Sequence, residues 1–261
     1  MFYVFISLTF IITCLGSISG ISGGTVLKPV MDLAGGWEAA QIRVLTGTAV
    51  FFMSLVSVLR SLGSADKLRP ATALSLGLGA VAGGFLGQTL LARLIASAND
   101  PAVKLCQNIV LGLLIVFVLA RTLNKGGGRL ELRHGAFHLA AGVLLGLFSA
   151  FLNIGGGPIN MAFLMFLFNM DVKKAAVHSL LIILFAQTSN LAAIAARSGF
   201  AAFDLMPLLP CMAAAAVAGS LLGTALNKRL NQRAVLVIFR VMLCAVLCAV
   251  GCNIVKFSMA P

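Results

Sequence analysis

Apolar segments follow one another along the whole chain, and each is ended by polar or glycine-rich residues. About 20 apolar residues in a helix are needed to cross the ~30 Å hydrocarbon core of a bilayer, and segments near that length recur here. No segment has the polar outer face that a soluble helical protein requires. The pattern therefore predicts an all-α, polytopic membrane protein. The predicted segments are 2–18, 24–35, 39–60, 70–97 and 102–123, then 135–153, 158–169, 172–196, 204–227 and 233–256.

Two of these segments are too short to cross a bilayer. Residues 24–35 and 158–169 contain 12 residues each, which reach roughly 18 Å as a helix. Each follows a glycine-rich break, ISGG at 21–24 and IGGGP at 154–158. Irregular backbone at membrane depth is tolerated only where protein or a wet cavity surrounds it. We therefore expect two half-helices that begin inside the membrane.

The chain reads as a duplication. An offset of 133 residues places 21–24 on 154–157, 37–38 on 170–171 and Thr46 on Ser179. Further along, AVAGGFLGQTLLARL at 80–94 matches AVAGSLLGTALNKRL at 216–230. Internal similarity at a fixed period indicates repeated structural units. We predict one membrane domain made of repeat one, 1–124, a linker loop, 125–133, and repeat two, 134–261.

The net charge of +12 comes from basic residues at segment ends, which is the positive-inside pattern of membrane proteins rather than a nucleic-acid surface. If each broken pair crosses once, the lysines and arginines divide eight against nine between the two sides. If each pair folds back as a re-entrant hairpin, they divide twelve against five, and each half makes an odd number of passes. The pattern thus favours two inverted repeats, each a broken, re-entrant helix pair followed by three transmembrane helices. The richer side holds Arg60, Lys67, Arg69, Arg121, Lys125, Arg129, Arg133, Lys173, Lys174, Lys228, Arg229 and Arg233; the other holds Arg43, Arg93, Lys104, Arg197 and Lys256.

The two breaks are candidates for an anion site. The start of a helix presents N–H groups without intrahelical partners and the positive end of the helix dipole, which together favour an anion. The candidate binding residues at the breaks are Ser22, Gly23, Gly24, Thr25, Asn153, Gly155, Gly156, Gly157 and Asn160.

Lys28 lies one turn inside the first half-helix. A lysine at that depth is costly and marks a functional site by default; the alternative is that its long stem snorkels to the interface. His178 is open to two interpretations, a proton relay or a hydrogen bond between helices. The other candidates that the long segments add to the site are Arg43, Thr46, Ser179 and Gln187.

The sequence offers little support for catalysis or redox chemistry. The six cysteines lie in apolar runs without a C-x-x-C pair, and we expect them to be small buried apolar residues. The acidic residues sit mostly at segment ends. We therefore predict no enzyme, no catalytic residue, no metal and no cofactor.

With these motifs in view, the chain resembles the TauE/SafE family of sulfite-exporter-like permeases. The resemblance rests on GISGGTVLKP at 20–29 and NIGGGPIN at 153–160, each followed by a short segment, an acidic residue and a Thr- or Ser-bearing helix. It implies transport of small, often sulfur-containing or organic, anions in the bacterial inner membrane. Ser22, where a third glycine is usual, and Lys28, at a normally apolar position, leave the substrate open.

The expected function is secondary transport of a small anion, in the sulfite, sulfonate or organic anion class, by alternating access. The partners are the small-molecule anion and the lipid bilayer, with no nucleic acid. No G-x-x-x-x-G-K-[ST] motif is present to bind ATP, so coupling to protons or other ions stays open. An anion channel and a membrane redox or enzymatic protein are the alternatives.

Overall fold

The computed structural model describes residues 2–62, 70–97, 100–123, 135–152, 155–198 and 208–258, and these residues form ten α-helices without a strand. Each helix coincides with one predicted segment, to within a few residues at the ends. The helices are α1 (Phe2–Ser19), α2 (Gly23–Ala34), α3 (Ala39–Leu62), α4 (Pro70–Ser97), α5 (Asp100–Leu123), α6 (Gly135–Leu152), α7 (Gly157–Phe166), α8 (Val172–Ser198), α9 (Leu208–Arg229) and α10 (Gln232–Ser258).

Seven of the helices in the described ranges are long and apolar enough to cross a membrane: α3, α4, α5, α6, α8, α9 and α10. The apolar part of α1, Tyr3–Ser19, and α7 are shorter. The chain is therefore a multi-pass membrane protein. The end of α7 at Phe166 comes before the predicted residue 169, where Asn169 adopts a left-handed φ of 47°.

Each short helix runs back beside the helix that precedes it. The ring of Trp37, just after α2, contacts the ring of Phe5, near the start of α1, edge to face with centroids 6.5 Å apart. In the second half, the rings of Phe168 and His138 lie 4.8 Å apart, just after α7 and near the start of α6. The two ends of each pair therefore meet on the same side. We call α1–α2 the first hairpin and α6–α7 the second hairpin.

The halves are joined by exchanged contacts, because the first helix of each half packs along the fourth helix of the other. Gly219 of α9 opposes Phe10 of α1, and Asn227 opposes Ile18 further along. Gly79 of α4 likewise opposes Leu139 of α6, and Gly87 opposes Leu147. In both pairs, the residue numbers of the contacting positions increase along both helices. Therefore α1 runs parallel to α9, and α4 runs parallel to α6.

The remaining contacts complete a simple rule: the odd-numbered helices run in one direction and the even-numbered helices in the other. Asn253 Nδ2 of α10 lies 3.4 Å from Asn108 Oδ1 of α5. Further along α5, Gly112 faces the earlier residue Val250 of α10, so those helices are antiparallel. Two parallel pairs follow from their contacts: Met53–Ser220 and Ser57–Thr224 for α3 with α9, and Gly77–Phe185 and Gly84–Ser189 for α4 with α8.

The expectation that the cysteines are buried holds only for Cys14. Cys106 and Cys211 are partly exposed, and Cys244, Cys248 and Cys252 are exposed. The last three share one face of α10, as their spacing of four indicates, but that face is on the outside of the molecule. A membrane helix gains nothing by hiding a small apolar residue from lipid, so composition alone did not reveal the side on which this face lies.

Close backbone contact at glycine holds the exchanged pairs together, and it can be tested at Gly83. A Cβ at Gly83 would collide with the backbone oxygen of Val143, so Gly83→Ala must push α4 away from α6. We expect it to lower stability by about 1–3 kcal/mol, measured as a lower Tm of the detergent-solubilised protein. Gly251→Ala is the matched control, because its Cβ would meet nothing within 4 Å; it should be neutral or stabilising, since alanine favours a helix. Equal effects of the two changes would contradict the packing assignment.

Candidate functional site

The two breaks contact each other at the centre of the molecule. A Cβ on Gly157 would lie only 2.7 Å from Ile21 Cα, and one on Gly155 would lie 2.8 Å from Ser22 Cβ. The same Gly155 position is 3.2 Å from Val50 Cγ1, close to the midpoint of α3. The starts of α2 and α7 are therefore adjacent, halfway along the long helices.

Side chains from other helices bind the carbonyl oxygens that α1 and α6 leave open at their C-terminal ends. Asn227 Nδ2 donates to Ile18 O, and Ser179 Oγ donates to Gly20 O at 2.7 Å. The last carbonyl groups of any helix lack intrahelical partners, and water is absent from the hydrocarbon core. These donors therefore stabilise the end of α1 inside the protein.

The same solution is used at the end of α6, where Gln107 Nε2 of α5 donates to Phe151 O at 2.7 Å. At the ends of both interrupted helices, amide or hydroxyl side chains from elsewhere in the chain thus donate hydrogen bonds to backbone carbonyl oxygens.

The start of α2 is capped by its own side chain. Ser22 has an extended conformation, and its Oγ accepts a hydrogen bond from Gly24 N at 3.2 Å. Thr25 N donates to Ser22 O at 3.1 Å. Ser22, Gly23, Gly24 and Thr25 are all buried. Two of the N–H groups at this end, those of Gly24 and Thr25, are therefore bonded within the break.

The start of α7 is built differently. Gly155 and Gly156 adopt φ values of 73° and 68°, which L side chains rarely tolerate. Gly156 is the N-cap and provides no side-chain bond to the helix, and Pro158 lies in the first turn, where its missing N–H is not needed. The α7 start therefore has fewer internal partners than the α2 start.

Two unpartnered polar side chains lie beside this α7 start. Ser149 and Asn160 are both fully buried, and Ser149 Oγ and both polar atoms of Asn160 lack a hydrogen-bond partner among the described residues. A Cβ on Gly156 would lie 3.1 Å from Asn160 Oδ1 and 3.4 Å from Ser149 Oγ. We call Ser149, Gly156, Gly157 and Asn160 the Gly156 site.

An unpaired buried polar group costs about 1–3 kcal/mol, so three such atoms in one place need an explanation. A hydroxyl, a carboxamide and the N–H groups of a helix start can all donate to one anion. Ligand binding at the Gly156 site would satisfy groups that the chain itself leaves open.

Lys28 forms a buried ion pair within α2. Its Nζ lies 2.9 Å from Asp32 Oδ2, with the side chains 4% and 1% exposed. Asp32 is one turn towards the C-terminal end of α2, away from the break. In this conformation Lys28 neither reaches an interface nor contacts the break, and its role as an anion ligand stays a prediction.

Neighbouring helices also hold α2 in place. Asn253 Nδ2 donates to Pro29 O at 2.9 Å, and Lys256 Nζ donates to Asp32 O and Leu33 O at 3.1 and 2.9 Å. A cation near the C-terminal end of a helix complements the negative end of its dipole. The C-terminal half of α2 is therefore bound to α10 by polar contacts.

The other predicted site residues are mostly engaged within their own helices. Thr46 Oγ1 donates to Ile42 O at 2.7 Å, and His178 Nδ1 lies 2.9 Å from Lys174 O. Gln187 Oε1 accepts from Asn190 Nδ2 at 2.9 Å. All three of the predicted residues are buried, and their roles in binding stay predictions.

The remaining two candidates are Arg43, which is partly buried, and Asn153, which lies outside the described residues. Of the residues predicted from sequence, the structure brings together Ser22, Gly155, Gly156, Gly157 and Asn160.

Sequence reasoning missed Ser149 and the partner of Lys28. Asp32 was counted among the acids at segment ends, although the spacing of four from Lys28 is a visible signal for a helical ion pair. Ser149 carries no such signal, because a single serine in an apolar helix is common. Only the return of α7 past the end of α6 makes it part of the site.

A family model described as sulfite exporter TauE/SafE matches residues 5–254, nearly the whole chain. Comparison with curated proteins and with solved structures gives no match.

The Lys28–Asp32 pair can be tested against its counterpart in the second half, since the offset of 133 places Met161 and Met165 at these positions. Lys28→Met or Asp32→Met alone leaves an unpaired buried charge and should cost about 3–5 kcal/mol. The double change removes both charges and should restore a Tm close to or above the wild-type value. A double variant as unstable as the single variants would show that the two charges do not act as a pair.

Proposed function

The chain belongs to the TauE/SafE sulfite exporter family, and on that premise we propose that it is a secondary transporter of a small anion, in the sulfite, sulfonate or organic anion class. It works by alternating access in the bacterial inner membrane. The family is one of membrane transporters, and seven apolar helices of sufficient length agree with that class. The anion class and the mechanism are the proposal.

The Gly156 site is the observation that carries the proposal. Sulfite and sulfonates present several oxygen acceptors around one sulfur atom and carry negative charge. The α7 start, Ser149 and Asn160 offer donors from several directions at one buried point. The adjacent start of α2 adds the positive end of a second helix dipole.

The two halves act as inverted repeats related by an axis in the membrane plane. This is supported by the alternating helix directions, because five helices per half give corresponding helices opposite directions. It is also supported by the exchanged pairs, α1 with α9 and α6 with α4. The two hairpins then enter from opposite sides, and rocking at their contact exposes the anion to each side in turn.

The side that faces the cytoplasm follows from the basic residues. With the helix directions above, the ends of α3, α5 and α9 and the starts of α8 and α10 share one side. The positive-inside rule assigns the richer side to the cytoplasm. Among the described residues this side has Arg60, Arg121, Lys173, Lys174, Lys228, Arg229 and Arg233, and the other has Arg43, Arg93, Lys104 and Lys256.

Anion binding can be tested by the rise in Tm of the purified protein with sulfite or methanesulfonate, since a ligand stabilises the state it binds. Ser149→Ala removes an unpartnered buried hydroxyl, so it should leave the anion-free Tm unchanged or raise it. The same change should reduce the anion-induced rise.

The control for this experiment is Ser220→Ala. Ser220 Oγ donates to Met53 O at 2.8 Å. Its loss should reduce the free energy of unfolding by about 1 kcal/mol, seen as a lower Tm without anion, and should preserve the rise in Tm on adding anion. No response of the wild-type protein to either anion would count against the proposed site. Saturable uptake into liposomes without single-channel currents would separate a carrier from a channel.

The inverted arrangement can be tested at Glu38 and Asp171, which are equivalent positions in the two halves and are both exposed. In a variant with all six cysteines replaced, Glu38→Cys and Asp171→Cys should react with a membrane-impermeant maleimide from opposite sides of the membrane. If each broken helix pair crossed the membrane once, Glu38 and Asp171 would instead lie on the same side of the membrane.

A further inference from the structure

The Lys28–Asp32 pair is less satisfied than a structural ion pair should be. Asp32 Oδ1 is buried and has no hydrogen-bond partner among the described residues. The order is also unfavourable, because a helical pair is better with the acid first and the base four residues later. A buried ion pair offsets its desolvation cost only with good geometry and further hydrogen bonds. Stability alone therefore does not explain this pair.

The pair lies on the helix whose start meets the Gly156 site. Gly24 is four residues before Lys28 and lies on the same face of α2. Side chains in a helix lean towards its N-terminus, so the relaxed direction of the lysine stem is towards the break. In the structure, Nζ is instead held towards the C-terminal end by Asp32.

We propose that Asp32 is the proton-binding site of the transporter and that its protonation releases Lys28 to the anion. The inference rests on the proposed anion transport. A proton from water adds to the Asp32 carboxylate and makes a neutral acid, which no longer holds the ammonium. Lys28 then turns towards the start of α2 and becomes the counter-charge of an anion bound at the two breaks.

The charge balance supports this exchange. Without substrate, the ammonium of Lys28 and the carboxylate of Asp32 sum to zero. With one proton and one monovalent anion bound, the ammonium and the anion again sum to zero, and Asp32 is neutral. Both states avoid an uncompensated charge at membrane depth, which is costly. The expected result is electroneutral movement of one proton with each anion in the same direction.

We assign the proton to Asp32 because its carboxylate is buried and paired with Lys28. Among the residues whose side chains the structure describes, Asp32 is the one buried carboxylate; Glu38 is exposed. The other titratable groups on the helices around α2 include Lys256 of α10, Lys104 of α5, Arg43 of α3 and Tyr3 of α1. Lys104 is buried, and its Nζ donates to Trp37 O just after α2 at 3.0 Å. Lys256 Nζ binds backbone oxygens of α2, Arg43 is partly buried and Tyr3 is 82% exposed.

The second half lacks an equivalent pair, since Met161 and Met165 occupy its positions. The proposed proton site therefore lies on the first hairpin. The second hairpin provides the uncharged donors of the Gly156 site.

The experiment uses the full chain in liposomes with trapped pyranine as a pH indicator and radiolabelled methanesulfonate as the probe. Methanesulfonate stays ionised near neutral pH, whereas sulfite carries a proton of its own that would confuse the measurement. In the wild-type protein, a methanesulfonate gradient should move protons in the same direction. Asp32→Asn should lose this proton movement while counterflow of labelled methanesulfonate stays detectable. Asp171→Asn, at an exposed acid, should keep the wild-type ratio of protons to anion.

The combined Lys28→Met, Asp32→Met variant guards against loss of folding, because it leaves no unpaired charge; it too should lose the proton movement. Proton movement at the wild-type ratio in either variant overturns the proposal. Counterflow without proton movement in the wild-type protein overturns proton coupling and leaves anion transport standing. If the wild-type protein shows no counterflow of methanesulfonate or of sulfite, both the transport proposal and the proton-coupling proposal are overturned.

Discussion

Backbone groups that are freed inside a membrane must find partners within the protein, and this constraint shapes the centre of the molecule. Two helices end at the centre of the molecule, and in a hydrocarbon core their last carbonyl groups would be costly if left without partners. Asn227, Ser179 and Gln107 satisfy carbonyl groups at these ends. Each donor comes from the other half of the chain. The ends of the broken helices are therefore satisfied by hydrogen bonds between the two halves.

The same constraint accounts for the exchanged packing. Lipid provides no hydrophobic force between helices, so close backbone approach and hydroxyl or amide hydrogen bonds must hold them. Glycines of α9 meet α1, and glycines of α4 meet α6. Ser57, Ser220 and Met53 O add a short chain of hydrogen bonds between α3 and α9. The long helices thus pack around both hairpins.

The two hairpins follow similar paths and differ in their chemistry. The first contains a buried ion pair and is bound to α10 through Asn253 and Lys256. The second has methionines at the ion-pair positions and keeps its unpartnered polar atoms beside the break. In the proposed transporter, the first hairpin supplies a charge to the anion and the second hairpin supplies uncharged donors. A symmetric pair could not provide both without burying a second charge.

The sequence by itself determined the helices, the two short segments and the positions of both breaks. These are local properties: apolar length, glycine at left-handed turns and proline in a first turn act through the nearest few residues. Even the return of each hairpin was predictable, because the distribution of lysine and arginine depends on which side each loop faces. The exchanged pairing of α1 with α9 and the place of Ser149 beside Gly156 were decided by the tertiary structure. Each depends on which faces of distant helices meet, and that is set by packing of the whole chain rather than by any local pattern.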